Sequence, residues 1–374
     1  MLIDKIALLN FRNYQTLTLS FHDKLNLFVG DNAQGKTNIL EAIYYSGTGR
    51  SHRTNKDADL IKWNENYFIL KISGENLHGR FVLEIGLNRE GKKKIKLNGV
   101  QKKRTGDILG TVKVILFSPE DLTLVKGSPV VRRKFIDTEI SQISPGYYYN
   151  LLKYQRILVQ RNALLKDIKM NKNLADNLSV WDRQLALFGA KLIYKKLDVL
   201  KKLTPLTRLM HRKITNGKEE LETRYISNVV DKDNLSLEEI EKLFLEKIAA
   251  NRDEELDRGI TIIGPHRDDL VFYINGKEVK HYGSQGQQRS CSLSIKLAEL
   301  ELVKGETGEY PLLLLDDVMS ELDEDRRQYL LESVQSKIQT FITTTDASLL
   351  AENLKKKCIF VYSKRRDNIV LGGV

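Results

Sequence analysis

Gly30, Gly35, Lys36 and Thr37 are spaced as G-x-x-x-x-G-K-T, and Asp316-Asp317 closes a run of four leucines far down the chain. The first set is chemistry for phosphate. Glycines at those two positions let the loop Gly30-Asp31-Asn32-Ala33-Gln34-Gly35 curl until successive N–H groups face phosphate oxygens. Lys36 then neutralises β/γ charge, Thr37 offers a hydroxyl to Mg2+, and the helix expected after Asn38 presents its positive N-terminus. The bland alternative is a glycine-rich turn. The second set is chemistry for a metal and a water: Asp316 holds the magnesium shell and Asp317 orients the attacking water. An apolar strand ending in acids says little alone, but beside the loop it becomes informative. The expected catalytic residues are therefore Lys36, Asp316 and Asp317, the expected metal ligands are Thr37 and Asp316, and the nucleotide is ATP or GTP. Thr37 and Asp316 lie 279 positions apart. Small P-loop GTPases and kinases have a much shorter gap, so those classes are disfavoured.

The elements that must position these residues are legible nearby. Leu25–Val29 reads as the strand entering the loop and Ile39–Ile43 as the helix leaving it. Both ends of the chain are β-rich. Strands are expected at Ile3–Asn10, Leu17–Phe21, Phe68–Ile72, Arg80–Leu87, Lys94–Lys102 (with an Asn98-Gly99 hairpin turn) and Val112–Phe117. Ser118-Pro119-Glu120-Asp121 has an N-cap, a proline at the first helical position and early acids, so a helix should start there. From about 145 to 215 the apolar residues fall at helical spacing, and Pro205 should end or kink the second helix. Ser236-Leu237-Glu238-Glu239 is a capping box opening a helix to about Ala250. Strand patterns resume at Thr261 and at Leu270–Tyr273.

Tyr282-Gly283-Ser284-Gln285-Gly286-Gln287-Gln288-Arg289 has the S-x-G-x-Q shape of an ABC-ATPase signature, and Ser320-Glu321-Leu322-Asp323 follows the acids in the place of a D-loop. A hydroxyl and a glycine at a helix start make a second anion cradle. In ABC-type enzymes that cradle binds the γ-phosphate held by another subunit, so ATP is sandwiched in an isologous dimer. Ser284, Gly286 and Gln288 are the candidate residues; an ordinary polar helix start is the alternative.

Charge points to a polyanion. The chain of 374 residues carries a net +11. Residues 151–213 hold fifteen Lys or Arg against four Asp or Glu, and residues 89–104 hold eight basic residues against Glu90 alone. The rest is net negative. Such asymmetry suits nucleic acid, whose neutralised phosphates release counterions; a solvated lysine-rich surface is the alternative. Arg132, Arg133, Lys153, Arg156, Arg161, Lys195, Lys196, Lys201 and Lys202 are the candidates for DNA phosphates, with Arg132 and Arg133 open to a structural ion network instead. Contacts of that kind position a protein without reading sequence. Two cysteines form no disulfide framework, no run approaches ~18 apolar residues, and the opening Met-Leu-Ile-Asp-Lys has no signal-peptide pattern. The expectation is a cytoplasmic protein with no membrane partner.

Several blocks together resemble a known family. Pro119-Glu120-Asp121, then Lys126-Gly127-Ser128-Pro129 and Arg132-Arg133-Lys134-Phe135-Ile136-Asp137, are similar to the diagnostic run of the RecF family of bacterial recombination mediators. Asn10-Phe11-Arg12-Asn13-Tyr14, Gly49-Arg50-Ser51-His52-Arg53-Thr54 and Gly264-Pro265-His266-Arg267-Asp268-Asp269 match further blocks, so the resemblance covers essentially the full length. It implies an α/β, ABC-type P-loop ATPase head, SMC-like, with an inserted, mainly helical second domain. The absence of sustained heptads separately excludes a long coiled coil. The implied division is residues 1–120 and 260–374 for the head and 121–259 for the helical domain. The resemblance also implies ATP and Mg2+ as cofactors and places Arg12 near the nucleotide, a surface arginine being the alternative. It implies an ATP-dependent homodimer on duplex DNA near single-strand gaps, weak ATP hydrolysis, and RecO, RecR and RecA as pathway partners. Two departures from the wider ABC pattern point to slow turnover. Asp317 stands where a glutamate is usual, and Phe341-Ile342-Thr343-Thr344-Thr345 is not followed by a switch histidine.

Overall fold

A computed structural model describes residues 1–232, 234–334, 337–346, 358–365 and 368–373, the last two stretches as backbone strands. The chain forms two compact units, residues 1–121 with 295–374, and residues 122–294.

The first unit begins with β1 (Leu2–Phe11), β2 (Tyr14–Ser20), β3 (Leu25–Val29), α1 (Lys36–Thr48), β4 (Tyr67–Asn76), β5 (Gly79–Asn88), β6 (Lys93–Leu97), β7 (Val100–Lys102) and β8 (Val114–Phe117). Six of these strands make an antiparallel sheet ordered β2-β1-β4-β5-β6-β7. Alternation explains it: Phe68, Leu70 and Ile72 of β4 are buried on one face, and Leu83, Ile85 and Leu87 of β5 beside them. Asn98 (φ 51°) and Gly99 (φ 80°) turn β6 into β7 with two left-handed residues, as a tight hairpin requires.

The second unit carries α2 (Leu122–Lys126), α3 (Pro129–Ile143), α4 (Pro145–Met170), α5 (Leu178–Ile214), β9 (Leu221–Ile226), α6 (Leu237–Ala250), α7 (Arg252–Arg258), β10 (Asp269–Ile274), β11 (Lys277–Glu278), α8 (Val279–Tyr282) and the start of α9 (Gln285–Thr307). Ser236 with Glu239 boxes α6, as the spacing predicts, and Ser144 caps α4. The structure refines the other expectations. Pro205 does not end α5, which continues to Ile214 because its apolar face packs on α4 and α6. Gly189 lets α6 come close; a methyl there would run into the Phe244 ring. A helix does start after Ser118, first as a 3₁₀ turn (Pro119–Asp121) and then as α2. Thr261 starts no strand, since its N–H is taken by Asn162 Oδ1 (2.8 Å) and that of Ile262 by Glu255 Oε1 (2.8 Å). β10 instead pairs with β9, a strand the helical reading of this region overlooked. That pairing places residues 260–294 in the helical unit rather than in the head, moving the expected boundary from 259 to 294.

The chain returns to the first unit with β12 (Leu312–Asp316), α10 (Glu324–Val334), β13 (Thr340–Thr344), β14 (Cys358–Arg365) and β15 (Asn368–Gly373). They complete a second sheet ordered β15-β14-β3-β13-β12-β8, parallel except for β15. Every residue of β3, β12 and β13 is buried, the pattern of a parallel sheet covered on both faces. Register sets the site. Val29 pairs with Thr344 and Asp316 with Thr343, so the loop after β3 and the acid ending β12 meet at one edge across β13. Ligands of parallel sheets bind at that carboxyl edge. Among the described residues no helix is long and apolar enough to cross a membrane.

Candidate functional site

The loop after β3 turns through Ala33 (φ 64°) and Gly35 (φ 97°). Gly35 is required twice over: its backbone is left-handed, and a Cβ would lie 2.6 Å from Asn13 Nδ2 and from Tyr14 Oη. Lys36 Nζ donates to the carbonyls of Gly30 (2.6 Å) and Asp31 (2.8 Å), which holds the loop in its curl. Burial lowers the Lys36 pKa, and the charges of Asp317, Asp31 and Asp316 oppose that shift. A cavity of about 250 Å³ opens there, lined by Asn32, Ala33, Gln34, Gly35, Lys36, Thr37, Asn38, Arg53, Asp317 and Thr343.

Thr37 Oγ1 donates to Asp316 Oδ1 at 2.9 Å, joining residues 279 apart, and Thr343 Oγ1 donates to the same oxygen at 2.7 Å. A hydroxyl and a carboxylate already in contact are hard oxygen donors of the kind Mg2+ accepts. Asp317 sits in the left-handed region (φ 53°), its N–H bonded to Thr343 O (3.2 Å) and Oγ1 (3.0 Å). Its Oδ1 is buried without a hydrogen-bond partner, as is Gln34 Oε1. Leaving a buried acceptor unmade costs about 1–3 kcal/mol. Both atoms belong to residues that line the polar cavity, where a water or a ligand donor would satisfy them. Burial, and then Asp316, push the Asp317 carboxyl up.

Arg12 does not line this cavity. Its turn is left-handed (φ 54°), and its guanidinium grips buried Glu41 of α1 with two bonds (2.8 and 2.6 Å) while donating to Asp59 O. Glu41 also accepts from Ser51 Oγ (2.5 Å). Burial raises the Glu41 carboxyl, but the bonds from Arg12 and Ser51 outweigh it, and its pKa ends low. Arg12 thus anchors the helix behind the loop and lines a neighbouring cavity of about 360 Å³ that shares Asn38 and Arg53. Arg53, which donates to Asn38 Oδ1 (2.9 Å), faces the phosphate loop in its place. Sequence reading quoted Arg53 within a family block without assigning it, and read the strand holding Thr343 only for a histidine. Behind the loop, burial pushes His52 down to about 4 and leaves its Nδ1 without a partner.

In the second unit, Ser284 is exposed at the start of α9 and forms a reciprocal cap with Gln287: Gln287 N donates to Ser284 Oγ (3.2 Å) and Ser284 N to Gln287 Oε1 (2.9 Å). Gly286 follows in the first turn, half-buried. Gln288 is a correction: it is buried and donates to Val279 O (3.2 Å), so it braces the helix start instead of facing a nucleotide.

The basic candidates divide sharply. Arg132 is buried, bonded to both oxygens of Asp269 (2.7 and 2.8 Å) and to Gly127 O. Arg133 donates to Asp268 O (2.7 Å). The two family blocks containing these residues are therefore one structural ion network. Arg161 is fully buried among Asp182, Thr261 and Glu255, and Lys196 is buried against Asp137 (3.2 Å). Arg132, Arg161 and Lys196 are withdrawn as phosphate contacts for that reason. Arg156, Lys201 and Lys202 are exposed, Lys153 and Lys195 half-exposed; Lys195 and Lys202 pair with Asp198. Helical spacing shows which face a lysine takes only relative to its neighbours, and α5 is packed on more than one side.

Residues 2–369 match the family described as RecF/RecN/SMC N terminal domain. The chain is 50% identical to the DNA replication and repair protein RecF of Alkaliphilus oremlandii, over 92% of this chain and 93% of that protein. It is 49% identical to RecF of Enterococcus faecalis over 95% of each. A solved structure of the recombination mediator protein RecF with ATP superposes with a TM-score of 0.91 at 37% identity, covering 100% of this chain and 98% of that one. An SMC head bound to the C-terminal winged-helix domain of ScpA superposes with a TM-score of 0.55 at 17% identity, covering 100% of this chain and 99% of that one; this is likeness of fold.

Proposed function

The chain belongs to the RecF family, and from that premise we propose that it is an ATP-controlled DNA-binding protein of replication and recombinational repair. The amides of Gly30–Gly35 and Lys36 hold the triphosphate, and Thr37 with Asp316 would hold Mg2+, which would supply charge neutralisation to the phosphates. Asp317 accepts from a water placed in line with the γ-phosphate. Ser284 and Gly286 of a second copy complete the site, so ATP closes a homodimer. The dimer sits on duplex DNA near a single-strand gap through exposed basic residues such as Arg156, Lys201 and Lys202. Slow hydrolysis ends that state, and the protein supports RecA loading with RecO and RecR.

The observation that carries this reading is the buried, unpartnered Asp317 Oδ1 on a cavity whose walls are phosphate-loop residues. The left-handed backbone and short side chain of Asp317 favour a second reading, an ATP-bound clamp that does not hydrolyse. A gel shift on gapped duplex with ATP, ADP or no nucleotide tests the first part: binding is expected with ATP, and binding that ignores nucleotide sinks the switch. Phosphate release separates the readings. Asp317→Asn should lower it by roughly 100-fold or more if Asp317 orients the water; wild-type release at background level leaves the clamp.

A further inference from the structure

The reciprocal cap at Ser284 does not end with Gln287. The other end of that amide, Gln287 Nε2, donates to Glu219 Oε1 at 2.9 Å. The second oxygen of Glu219 lies 3.1 Å from His211 Nε2. His211 is fully buried in the last turn of α5, and its Nδ1 is 3.0 Å from Ser294 Oγ on α9. The turn beyond α5 makes this arrangement possible. Asn216 (φ 51°) and Gly217 (φ 73°) are both left-handed, and Gly217 N closes back on Arg212 O (2.7 Å), so the chain reverses and brings Glu219 beside His211. Glu220 is then pinned, its N–H bonded to Asn275 Oδ1 (2.9 Å) and its carbonyl accepting from Asn275 N (3.0 Å). The carboxylate is held from both sides of its own position.

We infer that Glu219 is a positioning residue for the signature serine, tying Ser284 through Gln287 and His211 to the C-terminal end of α5. An anchored glutamate at this place has a specific consequence. Ser284 N donates to the Gln287 side-chain amide that Glu219 holds, while Ser284 Oγ accepts from Gln287 N at the start of α9, so the backbone that carries the serine hydroxyl is set in part by where that amide is held. Gln287 in turn takes its place from Glu219. α5 is also the helix that carries exposed Lys201 and Lys202. A phosphate backbone drawn to those lysines acts on the same helix whose last turn grips Glu219. Side-chain networks of this kind couple energetically beyond their separate members. The inference rests on the proposed role of Ser284 in completing the ATP site.

Two measurements on the full chain test it. In Glu219→Gln the shape is kept but one acceptor becomes a donor facing His211 or Gln287. Amide hydrogen exchange over 284–288 should quicken while exchange over 30–37 stays unchanged; no change at 284–288 overturns the inference whatever the chain does with ATP. In steady-state hydrolysis with gapped duplex, Glu219→Gln should lower kcat by roughly ten- to a hundredfold with KM for ATP unchanged, the effect of a misplaced reacting partner. In a Ser284→Ala background the same substitution should add little. Equal effects in both backgrounds, or an effect on KM alone, also overturn it. Gln287→Ala, on a half-buried side chain, should reproduce the kcat loss should Glu219→Gln fold poorly. A wild-type chain that shows no DNA-stimulated hydrolysis counts against the proposed function; a normal wild type with a normal Glu219→Gln counts against the relay alone.

Discussion

Two clusters of buried charge, one in each unit, look alike in the sequence and differ in one respect. Around Arg161, every partner is supplied by the protein. Its guanidinium donates to Asp182, Thr261 and Glu255; the second oxygen of Asp182 accepts from Arg252 (2.6 Å), and that of Glu255 from Ile262 N. Around Lys36 the accounting stays open. Lys36 turns back on loop carbonyls, and Asp317 Oδ1 and Gln34 Oε1, on residues that line the cavity, have no partner in the protein. Closure marks a charge cluster that holds the fold, and open valences mark one that awaits a ligand. Removing a member should therefore damage stability in the first case and binding in the second.

The strongest test exchanges the two. Arg161→Ala leaves one oxygen each of Asp182 and Glu255 without its partner in a buried site and should cost about 3–5 kcal/mol, read as a lower denaturation midpoint. Lys36→Ala should leave that midpoint nearly unchanged while abolishing nucleotide binding in a titration with a fluorescent ATP analogue. If Lys36→Ala unfolds the protein or Arg161→Ala does not, the distinction between closed and open clusters is lost.

Histidines sharpen the comparison at intermediate scale. His266 is pushed down from 6.5 to about 4 by burial, with Nε2 directed to Thr261 O (3.1 Å) and Nδ1 to Tyr154 Oη (2.6 Å). Below its ordinary pKa the unfolded chain takes up a proton that the folded chain refuses, so the stability given by the neutral ring is lost as pH falls from about 6.5 to about 4. Each histidine can contribute at most one proton, about 1.4 kcal/mol per pH unit. Urea midpoints measured across that window should fall less steeply in His266→Gln than in wild type. The corresponding slope from His52, beside the open site, should change when ATP is added, and that from His266 should not.

The smallest effect concerns the lysines of α5. Lys201→Gln and Lys202→Gln should each reduce the slope of log affinity against log salt for duplex DNA by about 1, without altering stability. Lys196→Gln should do the reverse, since that ammonium is buried against Asp137. A salt slope that responds to Lys196 and ignores Lys201 would place the DNA on another surface.

Much of this architecture is legible in the sequence. The phosphate loop, its entering strand, the acids of β12 and the capping box of α6 are set by local chemistry: positive φ at Gly35, full burial of a short apolar run, a side chain closing its own helix. The signature segment and the helical middle were legible in the same local way, and the family blocks added that the helical part is an inserted domain. Local pattern stops where a residue's fate depends on what packs against it. Arg161 and Lys201 have the same charge and comparable helical settings, yet one is fully buried and the other exposed. Packing carried α5 past Pro205 to Ile214, and Thr261 lost its strand to side-chain acceptors. Sequence by itself determined that this chain has a nucleotide loop, a carboxylate to meet it and a basic helical region. Only the tertiary structure decided that Thr37 touches Asp316, that Arg12 serves Glu41 while Arg53 faces the loop, and that the carboxylate of Glu219 stands between α5 and Ser284. The reason is that hydrogen-bond satisfaction and burial are properties of spatial neighbours, and in a parallel sheet with an inserted unit those neighbours lie far apart in the chain.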